Sequence, residues 1–252
     1  MSVAWHSQGM TDVPPGDGWL SSREAAWVAR MRFEKRRSEF RMGRWTAKNA
    51  IALFLERSRT PEDLLAIEID RALDGAPAPM VSGRPAPVSI SMTDRADQAV
   101  CVVSRPALGL GVDLELVEPR TDAFVADYLT EAEQHFVGGA ADRGEHGLRS
   151  NLVWCGKESA LKVLRTGLRR DTRSVEVSFP DGPLVDGWSA LAVRAVEGPE
   201  YPGWWRRYGE FVLTVAATEA FLPPRPLVDP PGLATAVPAH AWLGHPSAGG
   251  ER

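Results

Sequence analysis

The sequence predicts an α+β fold built from two similar lobes, each with a long helix and a small sheet. A chain of 252 residues with 44% hydrophobic content can bury a sizeable core, as one large domain or as two smaller lobes. An internal repeat favours two lobes: Trp45-Thr46-Ala47-Lys48-Asn49-Ala50-Ile51-Ala52-Leu53 parallels Trp154-Cys155-Gly156-Lys157-Glu158-Ser159-Ala160-Leu161-Lys162 at an offset of 109, sharing Trp, Lys and small residues. Each copy is followed by strand-like runs. In the first half these are Leu64 to Ile69, Val88 to Ser91 and Ala99 to Ser104; in the second, Val175 to Phe179, Trp188 to Val196 and Phe211 to Ala217. The expected division is 1–107 and 108–222, followed by a Pro-rich tail over 223–252.

Along the chain, the first long helix carries Arg30, Arg32, Lys35, Arg36, Arg37, Arg41, Arg44 and Lys48. That density is too great for one stripe, although Arg37, Arg41 and Arg44 share a face. From Arg23 to Arg59 there are eleven Arg and Lys against four Glu, a local charge of +7 that leaves -11 for the rest of a chain whose net charge is -4. Such a helix reads either as a solvated amphipathic surface or as a site for anions. Nucleic acid is disfavoured as a partner, since the whole chain is acidic and no aromatic stacking residues are interleaved in a groove-like pattern.

Between Arg120 and Ser150, Phe124 to Phe136 is helix-like, and Gly138 to Gly147 reads as a surface loop rich in Gly, Ala and charge. Phe124, Tyr128 and Leu129 could pack into a core or present a docking group. Beyond Leu222, Pro223-Pro224-Arg225-Pro226 and Asp229-Pro230-Pro231-Gly232 break regular structure, so the tail is expected to be ordered only in part or disordered.

Two cysteines, Cys101 and Cys155, supply neither a disulfide framework nor metal-ligand spacing, and buried reduced thiols are expected. No apolar stretch reaches membrane-spanning length, and Met1 to Met10 has neither a basic nor an apolar leader region, so a cytoplasmic location is expected. The five histidines lie outside the two patterns described next, which disfavours a zinc site or a His-based triad.

Those patterns carry the chemistry. In Gly111-Val112-Asp113-Leu114-Glu115 the residues alternate as in a strand, so Asp113 and Glu115 project from one face and Val112, Leu114 and Leu116 from the other. Convergent carboxylates without nearby His or Cys suit a hard cation such as Mg2+. The Trp154 to Lys162 pattern is helical: Lys157, Leu161 and Leu164 form one stripe, with Glu158 and Lys162 at i,i+4 on the next. Alone, the first pattern is also what a half-solvated strand looks like, and the second what a surface ion pair looks like.

Together they closely resemble the paired signature of the 4'-phosphopantetheinyl transferases, which move the phosphopantetheine arm of coenzyme A onto a carrier-protein serine. The resemblance is to the larger, monomeric, pseudo-twofold branch, and it implies two lobes with mostly antiparallel sheets and one active site between them. It implies Mg2+ on Asp113, Glu115 and Glu158, held against the coenzyme A pyrophosphate, with Lys162 as the second catalytic residue and Lys157 as a neighbouring coenzyme A contact. Arg37-Ser38-Glu39-Phe40-Arg41-Met42-Gly43-Arg44 resembles the family's Arg-rich segment, which places the 3'-phosphate on Arg44 and then Arg37. Of two stretches resembling the Gly-x-Pro element, Gly75-Ala76-Pro77 and Gly83-Arg84-Pro85, only the second offers a cation, and Arg84 is taken as the phosphate contact.

One departure is clear: Met92 stands where the family commonly has the His of a Ser-His pair. A thioether cannot donate to phosphate, so the contact is lost or supplied by Ser91, Thr93 or Arg95. In the repeat, Asn49 and Leu53 replace Glu158 and Lys162, which leaves the first lobe without the catalytic pair. The implied partners are coenzyme A and an acyl, peptidyl or aryl carrier protein; a secondary-metabolite carrier is favoured by the Arg-rich segment. A non-catalytic coenzyme A-binding scaffold and a coenzyme A pyrophosphohydrolase are the rival expectations.

Overall fold

The computed structural model describes residues 1–106, 108–196 and 198–238. The first half runs β1 (Val3–Gly9), α1 (Ser22–Arg30), α2 (Glu34–Phe54), α3 (Pro61–Leu65), β2 (Ile67–Arg71), β3 (Pro77–Val81), β4 (Arg84–Pro85), β5 (Ser89–Arg95) and β6 (Gln98–Ser104). The second runs β7 (Leu110–Leu116), α4 (Asp122–Tyr128), α5 (Glu131–Gly138), α6 (Arg143–Val163), β8 (Val175–Ser178), β9 (Ser189–Ala195), β10 (Glu200–Tyr208) and β11 (Phe211–Ala217), and β12 (Arg225–Pro226) follows. The fold is α+β. In both halves a leading strand, then helices that include one of 21 residues, precede the remaining strands.

The sheets correspond as well. The four-stranded sheet has the order β12-β1-β6-β5 and the five-stranded one β7-β11-β10-β9-β8, so each half pairs its first strand with its last and its last with the one before. All pairs are antiparallel except β1 with β12.

The offset of 109 in the sequence marks a shared internal architecture. Ser21 and Thr130 each cap a helix in a capping box whose N3 residue is Glu24 or Glu133. Each glutamate is buried and meets a buried lysine at 2.7 Å, Lys48 for Glu24 and Lys157 for Glu133. Each lysine also donates to two carbonyls: Lys48 to Trp19 and Leu64, Lys157 to Thr172 and Val175. Each glutamate accepts from a strand N–H as well, Ile69 or Val177. Such pairs survive burial only because these further hydrogen bonds satisfy them.

Differences from the sequence-based expectation are local. Phe124 to Phe136 is two helices, because the Thr130 capping box starts a new one after Leu129. The expected loop over Gly138 to Gly147 shrinks to a short turn, since Asp142 caps α6 and the helix begins well before the Trp154 motif. Strand β10 contains Pro202 and Gly203, which hid it; Gly203 is needed there, as a β-carbon would approach Val215 O to 2.5 Å. The first part of the tail is built into the fold: β12 pairs beside β1, and Leu233 is buried in the cluster holding Trp5, Trp188 and Phe211. The rest of the tail, residues 239–252, lies outside the described residues. Cys101 and Cys155 are free and buried, as expected. Among the described residues no helix is long and apolar enough to cross a membrane.

Candidate active site

The site forms where the two halves meet, at the neighbouring strands β5 and β7 and the helix α6 packed across β7 and β11. Alternation along β5 turns Ser91, Thr93 and Arg95 toward β7. Ser91 Oγ accepts from Val112 N at 3.1 Å, Thr93 Oγ1 donates to Asp113 Oδ1 at 2.9 Å, and Arg95 forms an ion pair with Glu115 at 3.2 Å. Helix α6 approaches β7 so closely that a β-carbon on Gly111 would lie 1.8 Å from Ser159 O. The glycine of the strand motif is therefore a packing requirement.

The helical motif divides its residues by face. Cys155 and Ser159 look at β11, where Thr214 Oγ1 donates to Cys155 O at 2.8 Å and stands 2.6 Å from Ser159 Oγ. Lys157 and Leu161 are fully buried. Trp154, Glu158 and Lys162, one turn apart, turn toward the strand carboxylates. Trp154 Nε1 donates to Glu115 Oε1 at 3.1 Å, and Lys162 Nζ donates to Val112 O at 2.7 Å and to Asp113 Oδ1 at 2.8 Å.

Electrostatics reflect the convergence of the three carboxylates. Burial, and then the charge of Asp113, push both Glu115 and Glu158 up to about 7. Burial disfavours the Lys162 ammonium, but Asp113 and Glu158 outweigh it and hold it above the ordinary lysine value. Lys162 is thus a fixed cation at neutral pH. Although Asp94 remains exposed at one edge, the protein wall around its carboxyl, followed by Glu39, pushes it up to about 6.

Beside this point opens a cleft of about 970 Å3 lined from both halves. Its cations are Arg44, Arg71, Lys162, Arg165 and Arg169. Ser91 and Met92 line it too, as do Gly75, Ala76 and Pro77. Arg44 lies 4.4 Å over the Phe40 ring with Nε 3.6 Å from Glu24 Oε1. Burial lowers it to about 10, so it stays charged.

Not every expected residue is brought here. Lys157 points into the second half of the fold and is consumed by Glu133; it shares the stripe of Leu161, and that apolar company was the available sign. Arg84 sits exposed on β4 at the end of a three-stranded sheet, outside the cleft lining, whereas the Gly75 stretch forms part of its wall. Arg37 is spent at the start of α2 on Glu34 and Met31 O, at 2.6 and 3.0 Å, while Arg44, two turns on, reaches the cleft. Residues not anticipated are Arg120, which donates to Glu115 at 3.2 Å and to Asn151 at 2.7 Å, and the cleft arginines 71, 165 and 169. The run Arg165, Arg169, Arg170, Arg173 just past the helical motif was a visible sign of the last two.

Residues 109–201 match the model of the 4'-phosphopantetheinyl transferase superfamily. No curated protein matches the chain. The superfamily segment begins just before β7 and ends in β10, so it spans both acidic patterns and the whole of α6. Phosphopantetheinyl transfer in general, with its dependence on coenzyme A, is the chemistry this domain supports.

The residues present bear on the superfamily's metal in two ways. Among the described residues no group of three His, Cys, Asp or Glu stands at metal-binding spacing. Glu115 is turned to Arg95, Arg120 and Trp154. Even so, Asp113 Oδ2 is buried without a hydrogen-bond partner, and the charge of Asp113 raises both Glu115 and Glu158. A buried orphan carboxylate oxygen facing two disfavoured carboxylates is a donor set that suits a hard divalent cation.

Proposed function

We propose that this protein transfers the 4'-phosphopantetheine arm of coenzyme A to a serine of an acyl, peptidyl or aryl carrier protein, with Mg2+, releasing 3',5'-ADP. The observation that carries the reading is that Asp113, Glu158 and the fixed cation Lys162 converge beside a large cationic cleft shared by both halves. Mg2+ would be held by Asp113, Glu158 and Glu115, and would neutralise charge on the pyrophosphate.

The residues themselves supply the rest. Lys162 offers an ammonium to the departing phosphate, and its raised pKa argues against a role as base. With Lys162 held as a cation, Glu158 is the group left to accept the serine proton as Oγ attacks the β-phosphorus and the bond to the ADP oxygen breaks. Arg44 suits the 3'-phosphate end, and Ser91 stands where the Met92 departure leaves a hydroxyl at the cleft wall. The matching sheet orders support a division into lobes at 107/108 with a single active centre.

Mass analysis of an apo carrier protein incubated with coenzyme A, Mg2+ and this protein tests the reading. Gain of one phosphopantetheine on the carrier is expected, lost in Glu158→Ala; free phosphopantetheine without carrier would instead mark a pyrophosphohydrolase, and binding without turnover a scaffold.

A further inference from the structure

The turn after α6 reaches across the rim of the cleft to the opposite half. Arg165 Nη1 donates to Asp74 Oδ2 at 3.1 Å, and Arg169 Nη2 donates to Asp74 O at 3.2 Å. Asp74 lies at the tip of the β2–β3 hairpin, where its Oδ1 accepts from Ala76 N at 3.0 Å. Its own turn therefore holds the carboxylate at the rim. Arg165 is aimed by the way the helix ends: Arg165 N donates to Lys162 O and Thr166 N to Leu161 O, which leaves Arg165 at φ 57. That left-handed position is one a glycine would occupy without strain.

Stability does not account for this arrangement, since the paired side chains are 59% and 36% exposed and an exposed ion pair contributes little. Asp74, Arg165 and Arg169 all line the cleft. Arg165 also stands just past the C-terminal end of α6, beyond Glu158 and away from the carboxylate end. A 3'-phosphate met by Arg44 from one wall of the cleft would approach these arginines on the other.

We propose that the Asp74 carboxylate is a counter-ion that occupies Arg165, with Arg169 beside it on the Asp74 carbonyl, until a ligand phosphate displaces it, so that this clasp sets how strongly the cleft selects a 3'-phosphorylated nucleotide. The inference rests on the reading of the cleft as a coenzyme A site. A phosphate dianion outbids a single carboxylate for the Arg165 guanidinium and can engage Arg169 as well, because it brings more charge and more acceptor oxygens to their planar forks. Removing the arginines should weaken binding, and removing the Asp74 charge should strengthen it. Both effects should be confined to ligands that carry the 3'-phosphate.

Isothermal titration of coenzyme A and of 3'-dephospho-coenzyme A into the wild type, Asp74→Asn and the double variant Arg165→Ala/Arg169→Ala reads this directly. The arginine variant is expected to lose about 10-fold or more in affinity for coenzyme A and to bind the dephospho form as the wild type does. Asp74→Asn, a change in an exposed turn, should tighten coenzyme A alone, and it tests the clasp in the opposite direction if the double variant unfolds. Equal losses for both ligands, or unchanged affinities in variants of a wild type that binds coenzyme A, would overturn the clasp and leave the site reading standing. A wild type that binds no coenzyme A would overturn both.

Discussion

At the scale of single residues, the site is a balance of buried charge. Glu115 and Glu158 have folded-state values raised from the ordinary 4.5 to about 7, so between those limits the folded protein binds more protons than the unfolded chain. Stability must therefore fall as pH rises through that window. Thermal unfolding in the presence of a chelator should show a midpoint that declines from pH 4.5 to 7, with Asp94 acting in the same sense at the lower end. Glu158→Gln should flatten the decline, and so should added Mg2+; a slope identical in Glu158→Gln would refute the assignment. Gly111 faces a different constraint. A β-carbon there would stand 1.8 Å from Ser159 O, so Gly111→Ala must push α6 off β7. A loss of about 2 to 3 kcal/mol or more in urea unfolding is expected, on the order of other overpacked cores.

At the scale of elements, the two long helices are anchored alike. Lys157→Met would strand Glu133 in the core, and breaking one partner of a buried pair costs about 3 to 5 kcal/mol. The double variant Lys157→Met/Glu133→Leu should recover much of that loss, since well-packed apolar replacements of buried pairs are often neutral. Urea midpoints of the wild type and both variants check it. If Lys157 were instead a ligand contact, the single variant would keep its stability and lose coenzyme A affinity. The strand and helix motifs were legible as elements because their periodicities differ, 2 against 3.6. Lys157 reads differently in sequence and in space: its neighbours in sequence are the expected site residues, while its neighbours in space are Glu133 and two carbonyls.

At the scale of the whole molecule, the chain closes on itself through its last described segment. β12 lies beside β1, Leu227 N donates to Trp5 O, and Leu233 sits in the core cluster that joins Trp5 of the first half to Trp188 and Phe211 of the second. Leu233→Ala is expected to cost about 2 to 4 kcal/mol, measured by chemical denaturation. An effect near zero would show that this segment merely rests on the surface. Its Pro-rich composition had pointed to disorder, but composition reports only the lack of regular structure; a few apolar residues suffice to dock an irregular segment when a sheet edge and a pocket await them.

The sequence by itself determined the family signature, the α+β class, the repeat at an offset of 109 and the faces on which Asp113, Glu115, Glu158 and Lys162 lie, because local periodicity and residue chemistry are properties of short stretches. Only the tertiary structure decided which cations reach the cleft. Arg84 and Arg37 were as plausible on paper as Arg71, Arg165 and Arg169, yet which arginines meet depends on the packing of one half against the other. Long-range placement also brought Arg95 to Glu115 and set Asp74 opposite Arg165, contacts between residues apart in the chain that no local pattern encodes.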